Sequence, residues 1–119
     1  MKSTIISLVG VVSLGLSMAA SADCAFPKAP SAIPDGKSAS EADMLAAMSA
    51  FKQYNTEVDS YLTCLDQETN EKIKDTAAAG AIMQIKALQQ KKRGSASDER
   101  QAKVESFNEQ VRAFKSRKS

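Results

Sequence analysis

Cys24 and Cys64 are the residues of this 119-residue chain best suited to covalent chemistry. They lie forty positions apart. A redox-active pair holds its thiols close along the chain, as in C-x-x-C, so that one tunes the other. This pair lacks that spacing. Two cysteines allow one intramolecular pairing, and in an oxidising compartment that pairing is a structural disulfide. No histidine is present, which removes the commonest general base and metal ligand. None of the serines sits in G-x-S-x-G or S-x-x-K, and there is no phosphate-binding loop, dinucleotide fingerprint or calcium loop. Glu57, Asp59, Glu68, Glu71 and Asp75 fall in helical stretches, where carboxylates are solvated or paired. The residue types therefore predict no enzyme, no cofactor and no metal.

Basic clusters are the other chemistry on offer. Lys91, Lys92 and Arg93 form one, and Lys115, Arg117 and Lys118 form another at the C-terminus. Either set suits anionic lipid headgroups or polysaccharide. The competing assignment for the tail is a favourable interaction with the helix dipole, and for the triad a pairing with the acidic half of the chain. That half is distinct. Residues 23–75 hold five Lys against ten Asp and Glu, whereas 76–119 hold ten Lys and Arg against four. Such asymmetry fits two halves that face each other.

The first residues set the compartment. Met1 and Lys2 are followed by an apolar run from Ile5 to Leu16, then Ala20-Ser21-Ala22. This is the pattern of a secretory signal over residues 1–22, too short for the ~20 residues of a spanning helix. Export predicts a secreted, periplasmic product with no stable membrane anchor and no nucleic-acid partner. About a hundred residues bury only a thin core, so a staple or an oligomer is expected.

Residues 23–37 contain Pro27, Pro30 and Pro34, then Asp35-Gly36. Proline lacks an amide donor and biases the preceding residue to extended geometry. An extended arm ending in a turn follows. Ser38 with Glu41, or Ser40 with Asp43, then opens a helix. Met44, Met48, Phe51, Asn55, Val58, Leu62 and Leu65 alternate four and three apart, beside a second row of Ala47, Tyr54 and Tyr61. A stripe this wide packs on more than one neighbour. The reversal falls at 75–80, where Asp75 or Thr76 offers a cap. Ala78, Ile82, Ile85, Leu88, Ala96, Val104, Phe107, Val111 and Phe114 then follow one face at ~3.6 residues per turn.

The domain over 38–119 is thus expected to be all-α: an antiparallel hairpin of two long helices, near 39–73 and 78–116. The alternative is three shorter helices broken at Gly94, since Gly costs ~1 kcal/mol against Ala inside a helix. Lengths connect the arm to the helix. From residue 39 to Cys64 is ~38 Å of helix, and the arm spans at most ~50 Å. The arm can fold back along the first helix and place Cys24 beside Cys64, with Phe26 and Ile33 covering the row that the second helix leaves open.

The stretches Asp23-Cys24-Ala25-Phe26-Pro27-Lys28-Ala29-Pro30, Ile33-Pro34-Asp35-Gly36, residues 41–48, Tyr54-Asn55, Tyr61-Leu62, Cys64-Leu65 and residues 107–115 together resemble a family of small secreted proteobacterial proteins of unknown function. The resemblance implies an exported helical protein with paired cysteines and a continuous second helix. It implies no activity. The expected role is a non-catalytic, protein-binding or chaperone-like envelope component, with envelope proteins or a second copy as partners. The alternative is a surface binder of anionic lipid or polysaccharide through the basic C-terminal half.

Overall fold

The computed structural model describes residues 24–118. The signal segment expected over 1–22 lies outside the described residues. Two helices make up the fold: α1, Glu41–Lys74, and α2, Ala79–Lys118. No strand occurs among the described residues. At 1.5 Å per residue these helices are ~50 and ~60 Å long. They lie antiparallel, and Cys24–Cys64 ties the N-terminal arm to α1.

Of the two caps open in the sequence, Ser40 is used. Its side chain accepts from the Asp43 amide at 3.1 Å, satisfying one of the orphan donors of the first turn. Glu41 and Asp43 add negative charge where the dipole favours it. At the other end Asp75 closes α1 rather than starting α2, with its amide turned back to the Ile73 carbonyl. Thr76, just past α1, also turns back to it, its hydroxyl donating to the Lys72 carbonyl at 2.7 Å. The first bond of α2 runs from the Ile82 amide to the Ala78 carbonyl. Neither candidate cap therefore serves α2.

Gly94 does not break the second helix. It is helical, and a Cβ added there would meet nothing within 4 Å. Ion pairs to α1 stand on both sides of it. Arg93 Nη1 reaches Asp66 at 2.6 Å and Arg100 Nη1 reaches Asp59 at 2.7 Å, while Lys118 Nζ reaches Glu41 at 2.8 Å. Seven residues separate Asp59 from Asp66 and also Arg93 from Arg100; eighteen separate Glu41 from Asp59 and also Arg100 from Lys118. The register is the same from one end to the other. Exposed pairs of this kind contribute ~0–1 kcal/mol each, so their main effect is to fix alignment. They also show the acidic and basic halves of the chain facing each other.

The core is confined to one stretch of the hairpin. Met44, Phe51, Tyr54, Val58 and Phe107 form its larger part, with Phe51 and Phe107 stacked at 4.6 Å between ring centroids. Tyr61, Leu65 and Ala96 continue it toward the disulfide. Met48 was expected in the buried stripe but stays exposed. It turns to the edge that carries Asp59 and Asp66, away from the arm.

Candidate functional site

The arm fills the groove between the helices. Its burial has a period of three: Cys24, Pro27, Pro30, Ile33, Gly36 and Ala39 are buried or half-buried, while most residues between them are exposed. Three residues per turn is the repeat of a polyproline II ribbon, which presents every third residue to one side. Ala29, Ile33 and Ala39 pack on the core. Phe26 stands edge-on to Tyr61 at 5.4 Å. Shallow depressions flank the arm on both sides, one bounded by Glu99 and Lys103 of α2, the other by Thr56, Glu57, Tyr61 and Cys64 of α1.

The arm is anchored at both ends. At one end the sulfurs of Cys24 and Cys64 are bonded, with their Cα atoms 5.7 Å apart. At the other, Asp35 builds a turn by accepting from the amides of Lys37, Ser38 and Ala39. Gly36 donates its amide to Gln110 Oε1 at 2.9 Å. Its backbone lies so close to α2 that a Cβ would overlap the Gln110 carbonyl, so glycine is required by space. Arg117 completes the anchor, donating to the carbonyls of Lys37 at 2.8 Å and Ala39 at 2.7 Å.

The bend presents the opposite surface. From Thr76 to Ile85 the chain carries ten residues without a charge. Met83 is 72 % exposed and Leu88 53 %. Ile73, Ile82 and Ile85 are half-buried beneath them. Leu88 was expected on the inner face; Gln89, one position on, is buried there instead. Gln89 stands seven residues before Ala96 and seven after Ile82, so heptad counting back from Ala96 identifies it where a search for apolar residues passes over it. Its side-chain nitrogen and oxygen, and Glu68 Oε2, lack a well-formed hydrogen bond. The Gln89 amide nonetheless lies close enough to help Lys72 hold the Glu68 carboxyl below the usual carboxylate range, against the opposing effect of burial.

The basic residues divide between these surfaces. Arg93, Arg117 and Lys118 are engaged within the chain, with Asp66, the arm carbonyls and Glu41 respectively. Lys118 holds the Glu41 carboxyl low. Arg117 and Lys118 both also lie over the Phe114 ring, at 5.0 and 5.1 Å. Lys91 and Lys115 are exposed; Lys92 is half-buried and close enough to Glu68 to favour its charged form. Residues 91–93 lie within the first half of α2 and residues 115–118 at its C-terminal end, so the fold does not merge them into one patch. Among the described residues no three His, Cys, Asp or Glu gather where a metal could sit, and no helix is long and apolar enough to cross a membrane.

No family model, curated protein or solved structure matches this chain.

Proposed function

We propose that this is an exported, non-catalytic envelope protein that holds other proteins, and that the hairpin bend is the surface it uses. The observation that carries the reading is the exposure of Met83 and Leu88 in and beside an uncharged ten-residue stretch, at the end of the hairpin that the arm does not cover. Apolar side chains left open to water at an uncharged stretch suit contact with another protein. Methionine adds a flexible, polarizable contact that accommodates varied partners. The disulfide suits an oxidising compartment, and the basic-apolar-small pattern of residues 1–22 suits export.

Suppression of aggregation tests this reading. A denatured client diluted into buffer should scatter less light when the wild-type chain is present. Met83→Ser/Leu88→Ser should abolish that protection while keeping the helical circular-dichroism signal. Equal protection by the double variant would remove the bend from the function.

A second reading places an anionic lipid or polysaccharide against the basic residues. Lys91 and Lys92, beside the apolar bend, favour it. Its mark is binding to anionic vesicles that weakens with salt and with Lys91→Gln/Lys92→Gln.

A further inference from the structure

The arm lies in its groove as a bound peptide lies in a receptor. It has no helix or strand of its own between Cys24 and Asp35. Its hydrogen bonds to the helices begin at Gly36, so the stretch from Cys24 to Asp35 is held by the faces of its residues. That is the form of contact proline permits, since it has no amide hydrogen to donate. The three-residue period sets Pro27, Pro30 and Ile33 on one edge. The core on which the arm packs draws aromatics from both helices, Phe51, Tyr54 and Tyr61 from α1 and Phe107 from α2, and Tyr61 meets Phe26 of the arm directly. Aromatic-lined grooves capture proline-rich ribbons because the ribbon is already extended and loses little entropy on binding.

We propose that this groove is a binding site for an extended peptide of the pattern aromatic-Pro-x-x-Pro, which the chain's own arm occupies while Cys24–Cys64 is closed and leaves open to another chain's segment once that bond is reduced. Cys64 lines one of the shallow depressions beside the arm, and both cysteines are only half-buried, so a thiolate can approach. The reductant is a dithiol. One of its thiolates attacks a sulfur of the disulfide and the S–S bond breaks, leaving a mixed disulfide. Its second thiolate then displaces the remaining cysteine sulfur. Cys24 and Cys64 gain two electrons and two protons, and the dithiol leaves as a disulfide. The arm's local concentration falls once its tip is loose, so a segment in trans can compete. This site lies on the stapled part of the hairpin and is separate from the bend.

The probe is a fluorescein-labelled peptide with the sequence of residues 25–36, titrated by anisotropy into the wild-type chain with and without a small-molecule dithiol. Circular dichroism is recorded on the same samples. Binding at least tenfold tighter to the reduced chain is expected. A peptide with its three prolines replaced by alanine should lose at least tenfold. Met83→Ser/Leu88→Ser should bind the peptide as wild type does, so failure here and failure of the bend reading remain distinguishable. If reduction melts the helices, Gly36→Ala with its disulfide intact decides the matter: its Cβ displaces the turn from Gln110, and binding should exceed that of the oxidised wild type. The proposal is overturned if the reduced, helical chain binds no better than the oxidised one, or if Gly36→Ala gains nothing in the case where it decides. Equal binding of the alanine peptide overturns it too, as does a reduced dimer formed by arm exchange that excess peptide cannot displace.

Discussion

The arm-covered part of the hairpin and the bend are built from the same two helices, yet they are stabilised differently. Between Met44 and Leu65 on α1, and from Ala96 to Phe114 on α2, three layers meet and the side chains bury one another. From Asp66 through the bend to Arg93, Gln89 is the buried side chain, and its amide atoms lack good partners. Helix persists there all the same. It does so on Lys, Gln, Glu and Ala, residues of high helical propensity, and on local pairs such as Glu68–Lys72 at 2.6 Å. Two helices alone give each other one stripe. The arm adds a second, and the core exists where both are present.

The largest test of this contrast is truncation on either side of it. Phe107→Ala removes a ring stacked on Phe51 in the densest part of the core, and should cost ~3–5 kcal/mol. Leu88→Ala removes an exposed side chain and should shift stability by no more than about 0.5 kcal/mol. Denaturant midpoints measure both. Similar losses would erase the distinction between the two regions.

Opening the staple comes next. Cys24→Ser/Cys64→Ser lengthens the freedom of an unfolded chain now closed over a separation of forty residues, and should cost ~2–4 kcal/mol. Far-ultraviolet helicity should survive at low temperature, because the local bonds of α1 and α2 do not involve the arm. Amide exchange should rise in the Tyr54–Leu65 stretch and remain as it was near the bend. A variant that lost its helices altogether would show that the arm is part of the folding unit rather than a cover on it.

Gly94→Ala is smaller and opposite in sign. With nothing within 4 Å of the added Cβ, the substitution should stabilise by about 1 kcal/mol. Destabilisation would mean that the helix bends at this point.

The subtlest test is tyrosine titration. Burial raises the phenols of Tyr54 and Tyr61 above the ordinary tyrosine value, with Glu99 and Glu68 adding to the effect respectively. A group whose folded pKa is raised gives its full stabilisation below the unfolded value, ~10. That stabilisation falls as pH rises through the folded value. Tyrosinate absorbance should therefore appear late, and unfolding should follow it. After reduction Tyr61, which has Phe26 against it, should move back toward the ordinary value by more than Tyr54.

Much of this was legible in the sequence because it is local. Spacing four and three apart marked α1, the proline run marked the arm, and chain lengths brought Cys24 to Cys64, as the structure shows. The row of Ala47, Tyr54 and Tyr61 signalled a second neighbour beside α1, and the arm supplies it. Caps were less legible. Ser38 and Ser40 both satisfy the pattern, and the turn that Asp35 closes over Ser38 and Ala39 leaves Ser40 for the helix.

Composition and period by themselves determined an all-α hairpin, an arm and one disulfide, because dihedral preference and apolar periodicity act over a few residues. Tertiary structure alone decided the continuity of α2, the burial of Gln89 in place of Leu88, and the division of the basic residues between internal pairs and open surface. Each depends on register, which residues far apart in the chain set by meeting: Asp59 with Arg100, Glu41 with Lys118, Gly36 with Gln110. A one-residue step turns a helical side chain by ~100°. Leu88 and its neighbour thus exchange solvent for the interface on a shift that propensity does not register.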